Sequence, residues 1–127
     1  IANKFNINFC LEPNAKYYKC NFINNITEAI NFVKLIDNKN ILINVDTGNI
    51  ALENDDLKTI KNNGILFSNY QLSERNLVSI YRTKINHVKI LKKFKINRQF
   101  VSLEMLNTNL SYLKKDIKKF KEILKKV

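Results

Sequence analysis

Four short apolar runs, each closing on a residue that can bind a metal or a polar ligand, constrain this chain more than anything else in it. Ile7 to Leu11 leads into Glu12, Ile41 to Val45 into Asp46, Ile65 to Tyr70 into Gln71, and Phe100 to Leu103 into Glu104. Helix-like or irregular stretches separate the runs. When strands lie parallel, the C-terminal ends of successive strands open on the same side, so residues remote in sequence meet there. Glu12, Asp46, Gln71 and Glu104 are therefore expected to share one oxygen-rich pocket.

The intervening segments support parallel pairing. Thr27 is the expected cap of a helix carrying Ala29, Ile30, Phe32, Val33 and Ile36 on its apolar side. Ile41 to Val45 is almost wholly apolar, as in strands covered on both faces, and Asp46-Thr-Gly48 follows it. A short helix is expected from Leu57 to Asn62, stopped at Gly64, and another from about Asn86 to Phe94. Leu110, Leu113, Ile117, Phe120 and Leu124 space an amphipathic helix to the C-terminus. Strands alternating with helices at intervals near 30 residues predict right-handed βαβ units in a parallel sheet.

A complete eight-stranded α/β barrel takes about 250 residues, and this chain has 127. Residues 1–127 are read as a single domain with room for half a barrel. A strand is expected within a few residues of Ile1 with no helix before it, which predicts a fragment of a longer chain or one half of a two-chain assembly. Half a barrel leaves two open sheet edges and, on this reading, an uncovered apolar inner face, so self-association or pairing with a missing N-terminal half is expected.

The net charge is +11, which raises nucleic acid or an acidic membrane as a partner. Much of the excess sits in the final helix, where Lys114, Lys115, Lys118, Lys119, Lys121, Lys125 and Lys126 flank an apolar stripe. A solvated helix face accounts for that pattern, and no basic-aromatic cluster points to nucleic acid. The two cysteines, Cys10 and Cys20, are too few for a disulfide framework and fit no zinc spacing. A reducing cytoplasm suits them, and no apolar run reaches the roughly 18 residues a membrane span needs.

Cys10 to Asn14, Asn21 to Asn24, Val45 to Gly48, Gln71 to Glu74 and Val101 to Met105 together resemble the C-terminal half of the sugar phosphate isomerase/epimerase superfamily, the xylose-isomerase-like TIM barrels. The resemblance runs from about Phe9 to Met105. It implies an α/β fold, the C-terminal half of a (β/α)8 barrel with four parallel strands and outer helices, and a cytoplasmic enzyme of carbohydrate metabolism acting on a sugar or sugar phosphate. It also implies a divalent-metal site built from Glu12, Asp46, Gln71 and Glu104, with Glu12 and Glu104 as the acid/base pair. Two departures stand out: Gln71 occupies the position of a usual His, and Asn49 that of a His after Asp-Thr-Gly in many relatives.

The chemistry is coherent with those residue types. Moving a proton between adjacent sugar carbons needs a base, an acid and a cation that holds two substrate oxygens, and it passes through an enediolate. The amide oxygen of Gln71 suits Mn²⁺ or Mg²⁺ better than the softer Zn²⁺. Glu74, Arg75 and Asn49 are the candidate substrate contacts, Tyr17 and Tyr18 could close over a sugar, and His87 reads as a helix-start residue rather than a ligand. The half alone is expected to be inactive. The rivals are a non-catalytic carbohydrate-binding or structural remnant and, more remotely, a basic nucleic-acid module; apurinic-site endonucleases of this barrel type use several histidines, and this chain has one.

Overall fold

A computed structural model describes residues 1–94, 96, 100–106 and 109–127. Strands β1 (Phe9–Leu11), β2 (Ile41–Asp46), β3 (Phe67–Leu72) and β4 (Phe100–Leu103) form one sheet in the order β1-β2-β3-β4, and every pairing is parallel. The helices are α1 (Ala2–Phe5), α2 (Ile26–Ile36), α3 (Thr47–Glu53), α4 (His87–Leu91) and α5 (Leu110–Leu124), with short 3-10 turns between them. The chain is thus α/β with its four strands side by side in chain order, as the alternation predicts. No helix among the described residues is long and apolar enough to cross a membrane.

One face of the sheet carries the core. Ile43 and Val45 of β2, with Tyr70 and Leu72 of β3, are fully buried against Ala29, Ile30 and Val33 of α2 and Ile90 and Leu91 of α4. Phe94 meets Phe67 and Tyr70 edge to face, with centroids 5.0 and 5.6 Å apart. Truncating a residue such as Leu91 to Ala would cost about 2–5 kcal/mol.

The opposite face is polar around Asn44, Asn69 and Gln71, with Phe100 exposed beside Asn69 at the β4 edge. Asn69 donates to Asn44 at 2.7 Å, and Asn44 donates to Gln71 and to Glu12. The expected uncovered apolar inner face is therefore corrected: strand alternation places Asn44, Asn69 and Gln71 there, and their amides satisfy one another. Asp46 pairs with Gln71, and Gln71 with Ser102, in register. The register between β2 and β3 shifts between Ile43 and Asn44, where Ile43 faces Phe67 and Asn44 faces Asn69. This sets the row from Asn44 and Asn69 up to Asp46 and Gln71 on one face.

Several boundaries differ from those read off the sequence. A four-residue helix, Ala2–Phe5, precedes β1, where none was expected. The cap of α2 is Asn25, not Thr27: Asn25 accepts from the Glu28 N–H at 2.9 Å, and the Glu28 carboxylate returns to the Asn24 N–H at 2.7 Å, a capping-box arrangement. Helix α3 starts directly at the end of β2, with Asp46 as its cap. The segment Gly64–Leu66 is a 3-10 turn, so β3 starts at Phe67. On α5 the buried positions are Asp116 and Ile123, while Leu110 and Ile117 are exposed. Asp116 is drawn inward because its carboxylate accepts from Ser79 at 2.5 Å and from the Tyr81 N–H at 2.8 Å, which rotates the expected stripe.

Candidate functional site

Each strand delivers its polar residue to the same edge. Glu12 follows β1, Asp46 ends β2, Gln71 is the penultimate residue of β3, and Glu104 follows β4 and extends the ladder by donating its N–H to the Leu72 carbonyl at 2.9 Å. Glu12, Asp46 and Glu104 line one cavity of about 150 Å³, together with Asn14, Tyr18, Asn49, Ser73 and Leu77. Gln71 is outside that lining, its amide oxygen engaged by Asn44.

Asp46 is the most constrained of the four. It caps α3, its Oδ1 accepting from the Asn49 N–H at 2.6 Å and from the Ser73 hydroxyl at 2.8 Å. Among the described residues its Oδ2 is buried without a hydrogen-bond partner. Gly48 makes this packing possible, because a Cβ there would lie 2.2 Å from Ser73 Oγ and 3.2 Å from Asp46 Oδ1. Asn49 faces the cavity as well; its Oδ1 accepts from the Ala15 N–H at 3.2 Å, and its Nδ2 lies 3.5 Å from Glu12 Oε1.

The three carboxyls all titrate high. Burial pushes Glu12 up to about 7, against the hydrogen bond from Asn44, and the charges of Asp46 and Glu104 raise it further. Burial likewise raises Asp46 despite the donors on its Oδ1. Glu104 is raised by burial and then by the charge of Asp46. Glu12 and Glu104 are both raised further by the charge of Asp46, and a cation among the three would stabilise their ionised forms. The donors are oxygens throughout, which fits a hard divalent ion. Among the described residues no three His, Cys, Asp or Glu side chains stand close enough to hold a metal as they lie, so coordination would require Glu12 and Glu104 to turn toward Asp46.

The other predicted contacts divide. Arg75 is exposed, its guanidinium 4.1 Å from the Tyr17 ring centroid, and hydrogen bonding to Arg75 and then Asn76 lowers the Tyr17 pKa. The Asn76 N–H donates to the Tyr18 hydroxyl at 3.0 Å. These contacts join the loops after β1 and β3 beside the cavity. Glu74 turns away from it: it is buried, with Oε1 3.1 Å from His87 Nε2 and accepting from Thr83. His87 Nδ1 lies 2.9 Å from Thr47 Oγ1. Sequence reasoning missed Asn44, Thr47 and Ser73; the one available signal was a polar residue inside an apolar strand at Asn44.

No family model matches the sequence, and no curated protein matches it. Solved structures do. A 3-keto-D-glucoside 4-epimerase from E. coli superposes with TM-score 0.81 at 14% identity, over 98% of this chain and 48% of that one. A D-psicose 3-epimerase from Clostridium cellulolyticum H10, solved with D-tagatose, gives 0.69 at 22% identity over 91% and 41%. The IolI protein, solved with a bound zinc atom, gives 0.69 at 16% identity over 97% and 49%. The chain thus spans less than half the length of each of these three. At these identities the likeness is one of fold: about half of a TIM barrel.

Proposed function

We propose that this chain is the metal-binding half of a sugar or sugar-phosphate isomerase or epimerase that moves a proton between adjacent carbons through an enediolate. The observation that carries the reading is the convergence of Glu12, Asp46 and Glu104 on one cavity with all three carboxyls raised and Asp46 Oδ2 unpartnered. The fold shared with sugar epimerases is consistent with it.

In this scheme Glu12, whose carboxyl burial raises to about 7 in the metal-free chain, takes and returns the proton. Glu104, reaching the cavity from the other edge of the sheet, serves the opposite transfer. Glu12, Asp46 and Glu104, with the Gln71 amide oxygen once it is released from Asn44, would hold a divalent cation, Mn²⁺ or Mg²⁺ in preference to Zn²⁺. Such an ion would supply positive charge that stabilises the enediolate. Asn49 and Arg75 contact the sugar, while Glu74 is held from it by His87.

Half a barrel does not enclose a substrate, so activity is assigned to the chain paired with a complementary half. Open edges at β1 and β4, with Phe9 and Phe100 exposed, support pairing or self-association. A non-catalytic sugar-binding remnant is the second reading, favoured by the engagement of Gln71 with Asn44.

Two measurements test the proposal. Calorimetry with Mn²⁺ on the chain should show one binding event. Deuterium uptake from D₂O into ketohexoses and their phosphates, followed by NMR on the completed barrel, should require Glu12 and Glu104. Metal binding without exchange would favour the remnant, and no heat in the parent or in Gln71→His would end both the metal assignment and the mechanism.

A further inference from the structure

His87 is the only histidine, is 1% exposed, and lines no part of the carboxylate cavity. A buried imidazole with polar groups on both ring nitrogens is nonetheless an ordered device. On one side Nε2 faces Glu74 Oε1 at 3.1 Å and Thr83 Oγ1 at 3.0 Å; on the other Nδ1 faces Thr47 Oγ1 at 2.9 Å. Burial works against the charge of Glu74, but hydrogen bonds from His87 and Thr83 outweigh it and hold the carboxyl below its usual pKa. An ionised Glu74 accepts only, so Nε2 carries a proton and donates it. On the far side Nδ1 and the Thr47 hydroxyl share one hydrogen bond.

Thr47 Oγ1 also accepts from the Ser73 N–H at 3.3 Å. Ser73 in turn gives its hydroxyl to Asp46 Oδ1 at 2.8 Å, beside the Asn49 N–H on the same oxygen. Both donors fall on Oδ1, and Oδ2 is left unpartnered. The chain of contacts runs from Glu74 through His87, Thr47 and Ser73 to Asp46, across the end of β3, the start of α3 and the start of α4.

We infer that Glu74 and His87 are positioning residues that set the rotamer of Asp46, through Thr47 and Ser73, so that Oδ2 is presented to a divalent cation. This rests on the metal-binding reading above and gives the sole histidine a task other than coordination. Outer partners that orient a ligand typically change metal affinity by about 10- to 100-fold when removed.

The test separates the two ring nitrogens. In His87→Asn the amide occupies roughly the place of Nδ1 and still pairs with Thr47, while His87→Gln places its amide near Nε2 and leaves Thr47 without that partner. Mn²⁺ titrations of the full chain should show affinity near that of the parent for His87→Asn and a loss of about 10-fold or more for His87→Gln. Thermal midpoints should fall similarly in both, which a purely structural role would mirror in affinity. Should either variant fail to fold, Thr47→Ser and Thr47→Val give the same contrast, with the hydroxyl kept in one and lost in the other. Equal affinity in both members of a pair overturns the inference while the metal site stands. Absence of Mn²⁺ binding in the parent and in Gln71→His overturns both.

Discussion

Replacing Gly48 with Ala sets two effects of opposite sign against each other, and the geometry decides the outcome. Within a helix, Gly→Ala ordinarily stabilises by about 0.5–1 kcal/mol because glycine loses more backbone freedom on folding. At this position the added methyl would sit 2.2 Å from Ser73 Oγ, 3.0 Å from the Ser73 carbonyl and 3.2 Å from Asp46 Oδ1. The hydroxyl can swing away only by abandoning Asp46, and the carbonyl belongs to backbone that cannot. Overpacking of this kind costs about 1–3 kcal/mol, and the lost hydrogen bond adds about 1 kcal/mol. The net expectation is a loss of about 1–3 kcal/mol, measured by urea unfolding at constant m-value. In a Ser73→Ala background the nearest obstacle is gone, so Gly48→Ala should cost at least about 1 kcal/mol less there, a coupling within the range of contacting residues. A neutral or stabilising Gly48→Ala in the parent would refute the claim that α3 is seated against Ser73 and Asp46 as described.

Stability should fall as pH rises from about 4.5 to about 7. Glu12 moves from an ordinary 4.5 to about 7 and Asp55 from 3.8 to about 6 on folding, so the folded chain binds more protons than the unfolded one across that window. Glu12→Gln should flatten part of the slope, by about 1 kcal/mol given that the group is partly solvated; an unchanged profile in chemical denaturation would contradict its burial. Mn²⁺ binding near pH 6.5 should release protons, read as a buffer-dependent heat in calorimetry. Gln71→His should tighten Mn²⁺ or Zn²⁺ by restoring an imidazole, whereas weaker binding would place residue 71 outside the coordination sphere. Light scattering at high micromolar concentration should show self-association through the open β1 and β4 edges; a well-folded monomer would count against it.

Strand order, parallel pairing and the strand-end placement of Glu12, Asp46, Gln71 and Glu104 were legible because each depends on local pattern plus a topological rule. An apolar run of five or six residues ending in a carboxylate needs no tertiary information to be read. The cap of α2 was misplaced for a different reason: Thr27 and Asn25 are both good caps, and only the return bond from Glu28 decides between them. The face of α5 was misread because hydrophobic spacing says nothing about a buried acid. Ser79 and the Tyr81 N–H lie 37 and 35 residues from Asp116, and no periodicity could announce them.

The least legible part was the polar inner surface. Ile41 to Val45 reads as a strand buried on both faces, with Asn44 as noise. In the fold Asn44 ties Glu12 to Gln71 and accepts from Asn69, so the one residue that breaks the pattern is what organises the floor beside the carboxylates. A hydrogen bond from Asn44 stabilises the ionised form of Glu12, whereas burial and the neighbouring acids oppose it, and the second group prevails. Asn44→Leu would remove the counterweight. It should raise the Glu12 pKa above 7, visible as a shift of the carboxyl titration by NMR, and it should free the amide oxygen of Gln71 to turn toward a cation. If Asn44→Leu left the titration of Glu12 where it is, the amide would be a bystander, and the polar face of the sheet would have no part in tuning the site.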